Sequence, residues 1–120
     1  MKVSAPQWIS SSTAIEADGP PIPVETTLTL ISDKWKVLIL RDLLTGTKRF
    51  GELQRSIGHV SQKVLTSQLR QMEASGVLTR KVYAEVPPRV EYTLTELGYS
   101  LKPIMDAMWA WGENYKKQYS

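Results

Sequence analysis

The run RFGELQRSIGHVSQKVLTSQLRQMEASGVLTR, Arg49 to Arg80, decides the fold. Phe50, Leu53 and Ile57 recur at helical spacing and form one apolar face. Gly58-His59-Val60 interrupts that pattern, and Ser61 stands where a helix N-cap belongs, its hydroxyl available to an orphan backbone N–H. Val64, Leu65, Leu69 and Met72 then make a second apolar stripe. Gly76 comes after it and can adopt the left-handed conformation that ends a helix. The stretch therefore predicts two short helices joined by a tight turn. The other face of the second helix carries Gln62, Lys63, Thr66, Ser67, Arg70 and Gln71. All are hydrogen-bond donors or two-way groups, and no acid is among them. Such a set suits phosphate oxygens and the base edges of a major groove. A helix–turn–helix presents its second helix there, N-terminal end first. The competing reading of these residues is an ordinary helical hairpin with a solvated face.

The residues after the helix pair favour DNA. From Val77 to Ala84 the chain turns rich in β-branched and aromatic residues, and Glu85-Val86-Pro87-Pro88-Arg89 is a turn. Val90, Tyr92 and Leu94 then alternate with Glu91 and Thr93, the period of a strand. Pro87 and Pro88 cannot donate to a sheet ladder, so they belong at the hairpin tip. A two-stranded hairpin directly after a helix–turn–helix describes a winged helix. Arg89 sits at the wing tip. It can enter a minor groove or meet a phosphate, or it can pair with Glu85 or Glu91 across the hairpin, and the sequence leaves both open.

Upstream, Pro23 can open a helix that Val24, Leu28 and Ile31 continue. Ser32-Asp33 ends it and caps the next. That second helix has Val37, Leu38, Ile39, Leu40, Leu43 and Leu44, apolar on most sides, so it is expected at the centre of the core. Residues 1–21 read as an N-terminal arm, mobile or docked through Trp8 and Ile9, and residues 22–120 as the domain proper. Downstream, Thr95 can cap a final helix carrying Leu97, Leu101, Ile104, Met105, Met108, Trp109, Trp111 and Tyr115, with Pro103 imposing a kink or a local break. So wide an apolar face on a short chain is expected both to complete the core and to bury against a second copy. Leu101, Ile104, Met105, Met108, Trp109, Trp111 and Tyr115 are the candidate dimer contacts. The fold class expected is mainly α with a small β-hairpin, a winged helix–turn–helix flanked by N- and C-terminal dimerisation helices.

Charge supports a polyanion partner for one region only. From Lys48 to Arg89 there are eight basic residues against three acids, within a chain of net charge +3. The candidate DNA contacts are accordingly Arg49, Ser61, Gln62, Lys63, Thr66, Ser67, Arg70, Arg80 and Arg89. An enzyme is disfavoured by inventory. There is no cysteine and a single histidine, His59 in the turn, with only Glu52 nearby to share a metal, and no Gly-rich phosphate loop. No cofactor or metal is expected. No apolar run reaches membrane-spanning length and no secretory signal is evident, so a cytoplasmic protein is expected. A winged helix used for protein or RNA contact is the alternative. The narrow major groove of duplex RNA counts against the RNA version.

Several pieces together carry a family resemblance: Asp33-Lys34-Trp35-Lys36, Lys48-Arg49-Phe50, Ser61-Gln62-Lys63-Val64-Leu65-Thr66, and Tyr83 through Leu94. Over Pro23 to about Gly112 the chain resembles the HxlR-type winged-helix regulators of bacteria, related to the MarR type. The resemblance implies a homodimer on an inverted-repeat operator of double-stranded DNA. It implies DNA contacts from the helix beginning at Ser61 and from the wing, and dimerisation through the first and last helices. A small-molecule effector is left open. Many members have a cysteine just before the proline that opens the first helix. Here that position is Ile22, so sensing by a thiol is not available to these 120 residues.

Overall fold

The computed structural model describes residues 23–119. The expected arm, with Trp8 and Ile9, and Ile22 at the expected domain boundary lie outside the described residues. The elements run α1 (Pro23–Ile31), α2 (Lys34–Leu43), β1 (Lys48–Arg49), α3 (Phe50–Ile57), α4 (Gln62–Ala74), β2 (Leu78–Tyr83), β3 (Arg89–Leu94), α5 (Glu96–Ser100) and α6 (Lys102–Tyr119). The predicted helix pair, α3 and α4, and the predicted hairpin, β2 and β3, are both present.

Local chemistry explains the boundaries. Asp33 caps α2 by accepting from the Lys36 backbone N–H at 2.9 Å, and Ser61 caps α4 by accepting from Val64 N–H at 3.1 Å. At the end of α4, Gly76 has φ +82°, where residues with a side chain are strained. Val77 N–H reaches back to Met72 O and Gly76 N–H to Glu73 O, both at 3.0 Å. These crossed bonds satisfy the last carbonyls of the helix and turn the chain straight into β2.

One feature departs from expectation. The sheet has three strands, not two. Lys48 and Arg49 pair antiparallel with Tyr92 and Glu91, giving the order β1-β3-β2. Two residues are too few to show a strand period, so this edge had no signature. Of the kink or local break expected at Pro103 in the last helix, the break is the one formed. Pro103 has no N–H to donate back into a preceding turn, and the chain ends α5 at Leu101 and restarts as α6.

The core lies where α2, α3 and α4 meet the sheet. Ile39, Leu40 and Leu43 of α2, Leu53 of α3, and Leu65, Leu69 and Met72 of α4 are almost wholly removed from water, as are Val77, Leu78 and Leu94. Burying each such side chain contributes roughly 1.5–3 kcal/mol before chain entropy is counted. α2 is thus the central helix, as expected from a sequence apolar on most sides. It also carries a buried cation. Lys36 is only 7% exposed, and its ammonium donates to Asp33 Oδ2 (3.2 Å), Gln68 Oε1 (2.8 Å) and Gln71 Oε1 (2.9 Å). All three ammonium hydrogens are used, as burial of a charge requires. The bonds tie the start of α2 to the back of α4. Burial pulls the Asp33 carboxyl pKa upward. Hydrogen bonds from the Lys36 backbone and ammonium, with the ammonium charge, outweigh that and hold it below its ordinary 3.8.

Candidate nucleic-acid interface

α4 divides its residues cleanly. Leu65, Leu69 and Met72 point into the core, while Gln62, Lys63, Thr66, Ser67, Arg70 and Gln71 line one shallow, open surface. Ser61, Gln62 and Lys63 are at the exposed N-terminal end, the end a groove receives first. The positive end of the helix dipole lies there too and favours a phosphate.

Arg70 does not stand alone. It shares a cleft of about 320 Å³ with Arg80 of β2, between α4 and the sheet, floored by Phe50, Leu69, Val90 and Tyr92. The pairing of Arg80 with Tyr92 in the β2–β3 register sets this position. The hairpin therefore delivers one predicted basic residue beside another that is ten positions away in sequence.

Arg49 is placed apart from that cleft. It is exposed at the junction of β1 and α3, where its backbone N–H donates to Glu52 Oε1 at 2.9 Å. A second cleft, about 370 Å³, brings Arg49 alongside Pro87, Pro88 and Arg89 at the wing tip. Arg89 itself is engaged within the hairpin. Its guanidinium lies 4.0 Å from the Tyr83 ring centroid, 3.4 Å from Glu85 Oε1 and 3.3 Å from Glu91 Oε2. Of the two readings left open for Arg89, the cross-hairpin pairing is the one formed here. A phosphate would have to draw the guanidinium away from two carboxylates. Gln71, expected on the free face, is also partly committed, since its carbonyl accepts from Lys36.

Lys36 itself was legible only as a member of a sequence motif. Its place three residues after an N-cap aspartate was the available signal. That neighbour holds the ammonium at the helix start, where it can turn inward to α4.

The C-terminal candidates split differently from expectation. Leu101 and Met105 are buried against the protomer's own core, so they are not free for a partner. Within α6, Met105 in the first turn is the one residue buried. Ile104, Met108, Trp109, Trp111 and Tyr115 stay exposed, Trp111 at 69%. Trp111 stacks on Tyr115 with centroids 5.4 Å apart, and Tyr115 meets Tyr119 at 4.9 Å. Trp109, about 160° round the helix from Trp111, donates its indole N–H to Glu113. α1 likewise leaves Val24 and Leu28 exposed.

Three core helices, the last two forming a helix–turn–helix, and a hairpin after them define a winged helix–turn–helix protein. Sequence comparison gives the family. The HxlR-like helix–turn–helix pattern matches residues 30–120, and the chain belongs to that family of transcriptional regulators. It is 50% identical over 94 residues to YdeP, an uncharacterized HTH-type transcriptional regulator of Bacillus subtilis (strain 168), covering 78% of this chain and 73% of that protein. In three dimensions it is similar to a crystal structure of the HTH-type regulator YtcD, with a TM-score of 0.75 and 50% identity over 79% of this chain and 97% of that one. It is also similar to the redox regulator HypR in its oxidized form, with a TM-score of 0.72 and 48% identity over 77% and 95% of the two chains.

Proposed function

We propose that this regulator acts as a homodimer on an inverted-repeat operator, α4 lying in the major groove and the wing beside the backbone. The observation that carries this reading is the division of α4. Its apolar stripe is buried in the protomer, and its open face presents donors with no acid among them. Gln62, Lys63 and Ser67 are assigned to base edges. Arg49, Arg70 and Arg80 are assigned to phosphates, with Arg89 joining them once released from its carboxylates. α1 and α6 supply the dimer contact, centred on Ile104, Met108, Trp111 and Tyr115. The partners are thus duplex DNA and a second copy of the chain, with any effector a small molecule acting on binding. Among the described residues no helix is long and apolar enough to cross a membrane, and we place the protein in the cytoplasm. No catalytic step is assigned to it.

The test is binding to double-stranded DNA against double-stranded RNA of equal length, and then site selection from a random DNA pool. Preferential DNA binding and a palindromic selected site are expected. Equal binding to both duplexes with no selected sequence would defeat the reading.

A further inference from the structure

Ser67 is the residue whose hydrogen bonding is set, through Gln71, by the buried Lys36. Lys36 is an ammonium and can only donate, so the Gln71 group facing it must be the carbonyl oxygen. That orients the Gln71 amide, and its NH₂ end is turned to Ser67, with Nε2 at 3.4 Å from Oγ. The serine hydroxyl thus accepts from Gln71, and its own hydrogen must go elsewhere. A helical serine ordinarily sends it to the carbonyl four residues back. Among the described residues Ser67 makes no such bond, although Thr27 does so in α1. The hydroxyl hydrogen is left facing the exposed side of α4, one turn beyond Lys63.

We propose that the relay Lys36–Gln71–Ser67 makes Ser67 a one-way donor that reads an acceptor on a major-groove base edge, and that Lys36 is its positioning residue. A free serine hydroxyl donates or accepts and discriminates weakly. One held as a donor pairs with guanine N7 or O6, adenine N7 or thymine O4, and is mismatched against the amino groups of cytosine and adenine. The inference rests on the DNA-binding reading and adds the direction of one hydrogen bond to it.

Gln71→Glu tests it. The carboxylate is the same size and still accepts from Lys36, but its second oxygen can only accept from Ser67. The hydroxyl hydrogen turns inward and lone pairs face the groove. The added negative charge weakens binding to every sequence, so the readout is base preference and not affinity. Sites are selected from a random DNA pool with wild type, Gln71→Glu and Ser67→Ala, and thermal unfolding shows that each variant is folded. The expected result is one changed position per half-site. Wild type selects an acceptor there, Gln71→Glu selects an amino-bearing base, and Ser67→Ala selects none. About a tenfold relative change in preference at that position is expected. A Gln71→Glu protein that selects the same site as wild type would overturn the relay while leaving operator binding intact. A wild type that selects no site would overturn both.

Discussion

α4 and α6 are both amphipathic helices, and they have opposite unfinished faces. α4 has buried its apolar side against α2 and the sheet and leaves a polar side open. α6 buries only Met105, leaving Trp109, Trp111, Tyr115 and Tyr119 in water. Exposure therefore has a different meaning according to chemistry. An open row of glutamine, lysine, serine and arginine is stable in water and waits for a polyanion. An open row of aromatics loses free energy in water and is completed by another apolar surface. The difference extends to rigidity. α4 is capped at both ends and held from behind by a fully bonded Lys36, whereas α6 is attached through its first turn.

The sharpest way to break this contrast is to place a charge on α6. Trp111→Glu is expected to give a monomer with its helical signal intact and operator binding reduced beyond detection, because one winged helix alone contacts too few base pairs. Light scattering, circular dichroism and a binding titration measure the three quantities. A stable dimer in this variant would mean that the aromatic row is not the seam.

Salt tests the other helix. If Arg49, Arg70 and Arg80 of two protomers neutralise phosphates, affinity should fall about 10³-fold between about 50 and about 200 mM salt. A flat response would remove the phosphate role from these residues. Arg49→Ala should weaken binding to all operator variants alike and make that salt slope shallower, whereas Gln62→Ala should alter the ranking of the variants.

Removing the hold on α4 should produce a smaller effect. Lys36→Ala strips three hydrogen bonds and the buried stem that packs behind the helix. A loss of about 1–3 kcal/mol of stability is expected, read from denaturant unfolding, with weaker operator binding by a protein that stays dimeric. If stability falls but binding at saturating dimer does not, α4 is positioned by its apolar stripe alone.

The smallest effect concerns pH. The Asp33 carboxyl is held below 3.8 in the folded protein, so the unfolded chain protonates first as pH falls. Its contribution is complete above the ordinary carboxylate range and is lost as pH falls through the lowered folded value. Asp33 is partly exposed, and solvent screens the pair. Asp33→Asn should therefore lower the melting temperature slightly at neutral pH and converge with wild type as pH falls through the lowered value, flattening the acid end of the profile. A profile unaltered by the substitution would show that the Asp33–Lys36 pair adds nothing beyond the cap.

Much of this protein was determined by local sequence. The helix pair comes from two apolar stripes, a serine cap and a glycine stop, each of which acts within a few residues. The wing comes from a β-branched and aromatic run before two prolines and alternation after them, and the open face of α4 from helical period alone. Tertiary structure decided the rest, because it depends on groups far apart in the chain. β1 exists only because β3 returns beside Lys48 and Arg49. The inward turn of Lys36 needs two glutamines that α4 supplies more than thirty positions later. The aromatic row of α6 could be read from its spacing, but which part the protomer itself covers could not. Leu101 and Met105 meet the core and Trp111 does not, because α6 leaves the body of the protein after one turn.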